Sequence, residues 1–444
     1  MNSKINDQFC TMNEKVEQLR KLGHKELTKI QQLVFQSNEP YNELVLYAPT
    51  GSGKTLTFLI AILEHLKNEA SNSPQLLVLS PTRELALQIE TVFKSLKTNF
   101  SVTTCYGGHA IKTEKNNLAA RPQVIIGTPG RITDLMHRKL IDFSFTPNLI
   151  IDEFDKCLEL GFLSDIEQIY KQLRQLKKSI YCSATKLEQF PPIIRFTQPL
   201  TFDVTTTQNK QQTFYQVEAS KGKLETLVQL IIDFQLQPTI LFCNFREDVD
   251  ALKNYFDDLE IATTAFHGGM EQDERERSLI KFKNGSAPVL ICTDLGARGI
   301  DIAGVQHIVH YQLPQDEASF THRNGRTARM HETGAIYFFE NDASSVNYSL
   351  PAAKQYALTS KKSYQAPNWL TIYFSGGKKD KINKIDLVGF ICQKGNLPKD
   401  KVGMISVMDF QSYVAIDRKS CGKLLPELRK HKIKGQKVRI AISK

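Results

Sequence analysis

Short apolar runs recur along most of this chain, at residues 44–47, 76–79, 124–126, 149–151 and 179–182, each closed by a Gly, Ser, Thr or Asp cluster and followed by a helix-like stretch. Runs of this length and texture are parallel strands buried on both faces of a sheet. The rhythm pauses over residues 188–212, where Pro191, Pro192 and Pro199 fall, and resumes at 239–242, 262–266, 289–292, 307–309 and 335–339. Two α/β domains over 1–205 and 210–355, joined by a linker, account for this pattern economically. Beyond about residue 355 the texture changes to alternation: Val438, Ile440 and Ile442 face one way, Lys437 and Arg439 the other. Residues 365–444 are expected to form a small α+β sandwich of order βαββαβ, with strands near 370–375, 402–408, 412–417 and 437–443 and helices near 382–394 and 420–431.

Charge divides the chain at the same place. The net charge is +10, yet residues 365–444 hold 17 basic against 6 acidic side chains, leaving 40 basic and 41 acidic for everything before them. That asymmetry fits a nucleic-acid-binding tail, and by itself it fits a solvated lysine-rich surface equally well. The eight cysteines never lie closer than 25 residues apart, which excludes CxxC pairs for zinc or redox chemistry. No apolar run reaches the 18 or so residues that cross a bilayer, and the first ten residues lack an apolar segment. A cytoplasmic protein without a membrane partner is expected.

Ala48-Pro-Thr-Gly-Ser-Gly-Lys-Thr55 follows the first run and opens a helix-like stretch. It is a P-loop, Ala48, Pro49, Thr50, Gly51, Ser52 and Gly53, whose successive backbone N–H groups, absent at Pro49, point toward phosphate oxygens. Lys54 reaches the terminal phosphates of ATP, and Thr55 is a ligand for Mg²⁺. About a hundred residues later Leu149-Ile-Ile-Asp-Glu-Phe-Asp155 ends another strand with acids, which suits Asp152 to hold Mg²⁺ and Glu153 to polarise the attacking water. Acids at a strand end are common; beside a P-loop they make a hydrolysis site.

The series Pro81-Thr-Arg-Glu-Leu-Ala-Leu-Gln88, Gly107-Gly108, Thr128-Pro-Gly-Arg131, Asp152-Glu-Phe-Asp155, Ser183-Ala-Thr185, Ile240-Leu-Phe-Cys-Asn244, Thr293-Asp-Leu-Gly-Ala-Arg-Gly-Ile-Asp301 and His322-Arg-Asn-Gly-Arg-Thr-Ala-Arg329 resembles the DEAD-box RNA helicase family in order and spacing. The resemblance spans roughly residues 9–340 and implies two tandem RecA-like domains that close on ATP and RNA together. It makes Gln31, in Gly23-His-Lys-Glu-Leu-Thr-Lys-Ile-Gln31, the adenine reader and Phe9 the ring stacked on the base, although Leu27 and Lys29 stand where the family usually has Pro. Arg326 and Arg329 match the fingers that neutralise charge on the γ-phosphate, joining Lys54, Asp152 and Glu153 in catalysis. Asp301 matches the ribose-holding residue. Asp155, Ser183, Thr185 and His322 match the residues that couple hydrolysis to RNA.

For RNA, the resemblance implies backbone contacts at Arg83, Gly108, Thr128 and Arg131 in the first domain and at Gln272, Arg275, Thr293 and Gly296 in the second. Because residues 1–364 are nearly neutral, contact there rests on placed amides, hydroxyls and a few arginines, and is sequence-independent. Two positions depart from the family pattern. Phe154 replaces the usual Ala of the acidic motif and Ala328 replaces Gly of the last motif; neither is a ligand, so the expected consequence is for coupling rather than hydrolysis.

In the tail, Thr371-Ile-Tyr-Phe-Ser-Gly-Gly-Lys-Lys-Asp-Lys-Ile-Asn-Lys-Ile-Asp-Leu-Val-Gly389, with Val402-Gly-Met-Ile405, Ser412-Tyr-Val-Ala415 and Lys432-Ile-Lys-Gly435, resembles the RNA-binding domain of the bacterial DbpA-type helicases. That resemblance implies an RRM-like domain which tethers the core to a hairpin of large-subunit ribosomal RNA. Asn383 stands where an Arg is common, and only Tyr413 offers a ring on the third strand. Lys378, Lys379, Lys381 and Lys384, clustered at the first strand-to-helix turn, are the expected phosphate contacts.

The expected activity is ATP-dependent unwinding of short RNA duplexes by a monomer, with pre-ribosomal particles as possible partners. The alternative is an ATP-gated RNA clamp or assembly scaffold that holds RNA without opening it, and Phe154 is the feature that keeps it open.

Overall fold

In a computed structural model, the structure describes residues 11–443 apart from 25, 38, 50, 68–72, 109–110, 188, 195, 206–211, 221, 295–303, 329–332 and 360–362. Two compact units emerge, one ending near residue 210 and one comprising most of the remainder.

The first unit is built on seven parallel strands: β1 (Glu43–Tyr47), β2 (Leu76–Leu79), β3 (Val102–Cys105), β4 (Val124–Gly127), β5 (Asn148–Ile151), β6 (Lys178–Ser183) and β7 (Leu200–Asp203). Their order across the sheet is β3-β4-β2-β5-β6-β1-β7. Every residue of β2, β4 and β5 is buried, as continuous apolar runs require when helices cover both faces. Two cores result, one on each face: Leu44, Leu46, Phe58, Ile62 and Ile126 gather on one side, Val45, Ile125, Phe143, Ile151 and Tyr181 on the other. Because β5, β6 and β1 are neighbours, the loops leaving their carboxyl ends lie side by side.

The second unit repeats the scheme with β8 (Gln212–Val217), β9 (Thr239–Cys243), β10 (Thr263–Phe266), β11 (Val289–Thr293), β12 (His307–His310), β13 (Gly334–Phe339) and β14 (Lys354–Gln355), in the order β10-β11-β9-β12-β13-β8-β14. All of its pairings are parallel.

The last sheet is antiparallel: β15 (Trp369–Phe374), β16 (Val402–Val407), β17 (Ser412–Asp417) and β18 (Ile440–Ile442), ordered β16-β17-β15-β18. Helices Lys384–Lys394 and Arg418–Leu428 cover one face, burying Ile372, Phe374, Leu387, Ile391, Val414 and Leu428. This is the expected βαββαβ sandwich. Its other face is covered as well: Thr371, Tyr413 and Ala415, which point away from the helices, are 1%, 2% and 0% exposed. Asn284 Nδ2 donates to Thr371 Oγ1 at 2.8 Å, the Ser286 and Thr371 hydroxyls are 2.6 Å apart, and Ala262 N donates to the Tyr364 hydroxyl at 2.7 Å. The sheet therefore rests on the segment following helix Gln272–Lys283 of the second RecA-like fold.

The sequence pattern differs from the structure at four strands. The polar alternation of β3 and β8 hides them, β7 falls in the Pro-containing stretch between the two runs of strands, and β14 has two residues. The last strand begins at Ile440 rather than 437, after a turn bridged between Ile433 and Gln436. Ile440 is buried, but Ile442 is 47% exposed.

Candidate ATP and RNA sites

The loop after β1 turns at Gly53, whose φ of +88° is open to glycine, and helix Lys54–Leu63 starts there. A Cβ on Gly53 would lie 2.8 Å from Gln31 Nε2, so the absent side chain is what lets Gln31 reach the P-loop. Gln31 is buried at the start of helix Lys29–Gln36, where its Oε1 accepts from Thr28 N at 2.9 Å. Lys54 is buried, its ammonium donating to the Ala48 carbonyl. Ser52 Oγ is buried without a hydrogen-bond partner among the described residues. Pro49, Gly51 and Thr55 complete this loop; Phe9 and Thr50 lie outside the described residues.

Asp152 and Glu153 leave the end of β5. Asp152 is 3% exposed and accepts from Glu153 N at 2.9 Å. Burial, helped by the neighbouring Glu153 and opposed by Lys54, pushes its carboxyl up to about 7. Glu153 takes a left-handed conformation, φ +46°, at the start of helix Phe154–Glu159, and its Oε2 is buried with no hydrogen-bond partner among the described residues. A desolvated carboxylate beside an unsatisfied one is a donor set that fits a divalent cation and a water. Among the described residues no cluster of three His, Cys, Asp or Glu forms a metal cage, and Mg²⁺ bound with phosphates needs none.

The loop after β6 brings Ser183 and Thr185 to the same edge. Thr185 Oγ1 donates to Asp155 Oδ2 at 2.7 Å, while Ser183 Oγ donates to the Thr185 carbonyl at 2.5 Å. The two motifs are joined within one domain.

Of the expected RNA contacts, Arg83 lies over Gly107 and Gly108; a Cβ on Gly108, where φ is +93°, would meet Arg83 Nη1 at 2.4 Å. Thr128 caps helix Pro129–His137. Arg131 is engaged by Glu114 at 2.6 Å and Asp134 at 2.8 Å. In the second fold Gln272 opens helix Gln272–Lys283, the Arg275 guanidinium sits 5.1 Å from the Phe266 ring centroid, and Thr293 ends β11. Arg326 is 6% exposed and His322 half-buried. Gly296, Asp301 and Arg329 lie outside the described residues. In the last domain Lys378, Lys379, Lys381 and Lys384 are all exposed around the turn that follows β15.

Three family models match in succession: DEAD/DEAH box helicase over residues 28–189, helicase conserved C-terminal domain over 222–331, and DbpA RNA binding domain over 371–442. The chain is 31% identical to the ATP-dependent RNA helicase DbpA of Bacillus subtilis, across 95% of this chain and 96% of that one. It belongs to the DbpA family of DEAD-box ATP-dependent RNA helicases. The DbpA of Escherichia coli is 29% identical over 98% of this chain and 99% of its own length. Among solved structures, Dbp5 of S. cerevisiae bound to RNA and ADP BeF3 matches with a TM-score of 0.66 and 26% identity, covering 77% of this chain and 92% of that one.

Both departures of this DbpA-family helicase now have a structural setting. The Phe154 ring is fully buried, stacked on Phe190 at 5.5 Å and 12° and edge-on to Tyr181 at 5.7 Å. It points into the core while Asp155 keeps its bond to Thr185. Ala328 sits at φ +53°, where glycine would be unstrained.

One residue of this helicase's last motif escaped the sequence. Arg323 is 1% exposed; its Nε and Nη2 grip Asp294 at 2.7 and 2.6 Å, Nη2 also reaches Asn244 Oδ1 at 2.7 Å, and Nη1 donates to the Gln312 carbonyl at 2.8 Å. It fastens three motifs of the second fold together. Three arginines within eight residues gave no signal as to which is buried.

Proposed function

We propose that this helicase opens short RNA duplexes locally at the expense of ATP and is held by its C-terminal domain on structured RNA of the large ribosomal subunit during ribosome assembly. Within this reading Lys54, Asp152, Glu153, Arg326 and Arg329 carry hydrolysis, Thr55 and Asp152 hold Mg²⁺, and Gln31 with Phe9 and Asp301 selects the nucleotide. The metal supplies charge neutralisation on the phosphates when bound. Glu153, with an unsatisfied oxygen, holds the attacking water and accepts its proton. Arg83, Gly108, Thr128, Arg131, Gln272, Arg275, Thr293 and Gly296 form the sequence-independent track for one strand.

The observation that carries the targeting is the exposed lysine turn, Lys378 to Lys384, inside a domain that matches DbpA RNA binding domains over 371–442. The clamp alternative rests on Phe154; the stacking of that ring on Phe190, with Thr185 still bonded to Asp155, supports the unwinding reading over it. A strand-displacement assay tests the proposal, using a short duplex placed beside a large-subunit ribosomal RNA hairpin and the same duplex alone. ATP-dependent displacement that is faster beside the hairpin is expected; tight RNA binding with no displacement at any ATP concentration would return the clamp.

A further inference from the structure

An RRM-like domain ordinarily receives unpaired bases on rings of its sheet face. Here the middle of that face is covered, and its remaining ring, Tyr373, is half-buried 5.7 Å from Tyr413. Thr371, Tyr413 and Ala415 are at most 2% exposed beneath the Asn284–Ser286 segment, and burial pushes the Tyr413 phenol up to about 12, with Arg277 of the covering helix close by.

The ring left in solvent is elsewhere. Phe410 is 70% exposed at the tip of the β16–β17 hairpin, a turn closed by Met408 N donating to the Gln411 carbonyl at 2.8 Å. An exposed aromatic on a hairpin tip is ordinarily a liability for solubility. This tip is fixed against the lysine turn: Lys378 N donates to the Met408 carbonyl and Lys379 N to the Asp409 carbonyl, both at 2.8 Å. The approach is so close that a Cβ on Gly377 would stand 2.2 Å from the Met408 oxygen. Lys381 is anchored from the far side, its carbonyl accepting from Lys434 Nζ at 2.7 Å.

We propose that Phe410 is the stacking platform for an unpaired RNA base, with Lys378, Lys379 and Lys381 holding the phosphates that flank it. The inference rests on the C-terminal domain being an RNA-binding domain and adds where, on that domain, an unpaired base is held. The occupant follows from the chemistry of the patch. A lone ring beside several ammonium groups matches a base with flanking phosphates, since stacking needs one π-face and the phosphates need cations. Bases inside a duplex are already stacked, so the platform favours loops, bulges and single-stranded ends.

The test uses the full chain, a stem-loop RNA with an unpaired purine loop, and the same stem closed as a blunt duplex. Phe410→Ala is expected to weaken stem-loop binding about 5- to 100-fold, the range of one lost base stack, with the blunt duplex affected less than about twofold and the salt slope unchanged. Phe410→Trp is expected to restore the stem-loop affinity. An unchanged thermal midpoint of Phe410→Ala confirms that the fold is intact. Stem-loop affinity equal to the parent's, equal losses on both RNAs, or no rescue by Trp would overturn the proposal, and the first of these would leave the ring to a protein partner. The Lys378→Ala/Lys379→Ala variant separates the layers: weaker binding to both RNAs with a shallower salt slope keeps the RNA-binding domain even if Phe410 is silent, whereas no effect would sink the domain's role itself.

Discussion

Thr185 Oγ1 donates a 2.7 Å hydrogen bond to Asp155 Oδ2, linking the loop after β6 to the acidic motif after β5. Both residues follow adjacent strands, so the bond reports directly on the relative placement of two loops at one edge of the sheet. Thr185→Val keeps the volume and removes the donor. Nucleotide binding is expected to persist while duplex strands separated per ATP fall by at least about tenfold, the scale of one hydrogen bond to a charged acceptor. Parallel ATPase and strand-displacement measurements check this; equal losses in both would assign the bond to the fold alone.

Phe154→Ala installs the residue usual in the family, yet here it empties a site built by Tyr181 and Phe190. A loss of about 3–5 kcal/mol in the first domain is expected, the cost of deleting a fully buried ring. Urea denaturation of the full chain, following the first-domain transition, measures it. A neutral effect would show that the aromatic cluster closes over the gap.

Arg323→Lys retains charge but not the fork that meets Asp294, Asn244 and the Gln312 carbonyl. Breaking a buried pair of this kind is expected to destabilise the second fold by about 3 kcal/mol or more. Hydrogen exchange in β9 and β12 should accelerate, while β2 and β5 of the first unit keep their protection.

His310 is held neutral. Burial first, then the nearby Arg323, lowers its ring to about 3, against a hydrogen bond from its Nε2 to Asn324 Oδ1 at 2.9 Å that favours the proton. His307, half-buried and stacked on Phe234 at 4.0 Å, is lowered to about 4. Between these values and about 6.5 the unfolded chain binds protons that the folded chain does not, so stability is complete above about 6.5 and declines as pH falls. Each ring is expected to remove up to about 1.4 kcal/mol per pH unit across that window. Thermal midpoints of the second unit at pH 7 and pH 5 measure the slope, and His310→Gln, which can still donate to Asn324, should flatten it. An unchanged slope in His310→Gln would show that the ring titrates freely.

The placement of the first domain's candidate site was legible because it is local: a P-loop follows a strand, and Asp152 and Glu153 follow one. The apolar runs gave the parallel strands for the same reason, since burial on both faces leaves no room for polar alternation. What escaped depended on contacts between distant residues. Nothing in the composition of His322-Arg-Asn-Gly-Arg-Thr-Ala-Arg329 says that Arg323 turns inward to Asp294. Phe154 looked like an intrusion beside Asp155 until Phe190, thirty-six residues later, closed a core around it. The burial of Thr371 was invisible because its cover, Asn284 and Ser286, belongs to another domain, and so does Arg277 beside Tyr413.

We propose that the C-terminal domain directs the helicase core to its RNA. It is tested most directly by steady-state ATP hydrolysis of the full-length protein without RNA, with a generic single strand and with a large-subunit ribosomal RNA fragment. Strong stimulation by the ribosomal fragment over the generic strand is the expected result. Hydrolysis indifferent to all RNA, or stimulated equally by both, would contradict it.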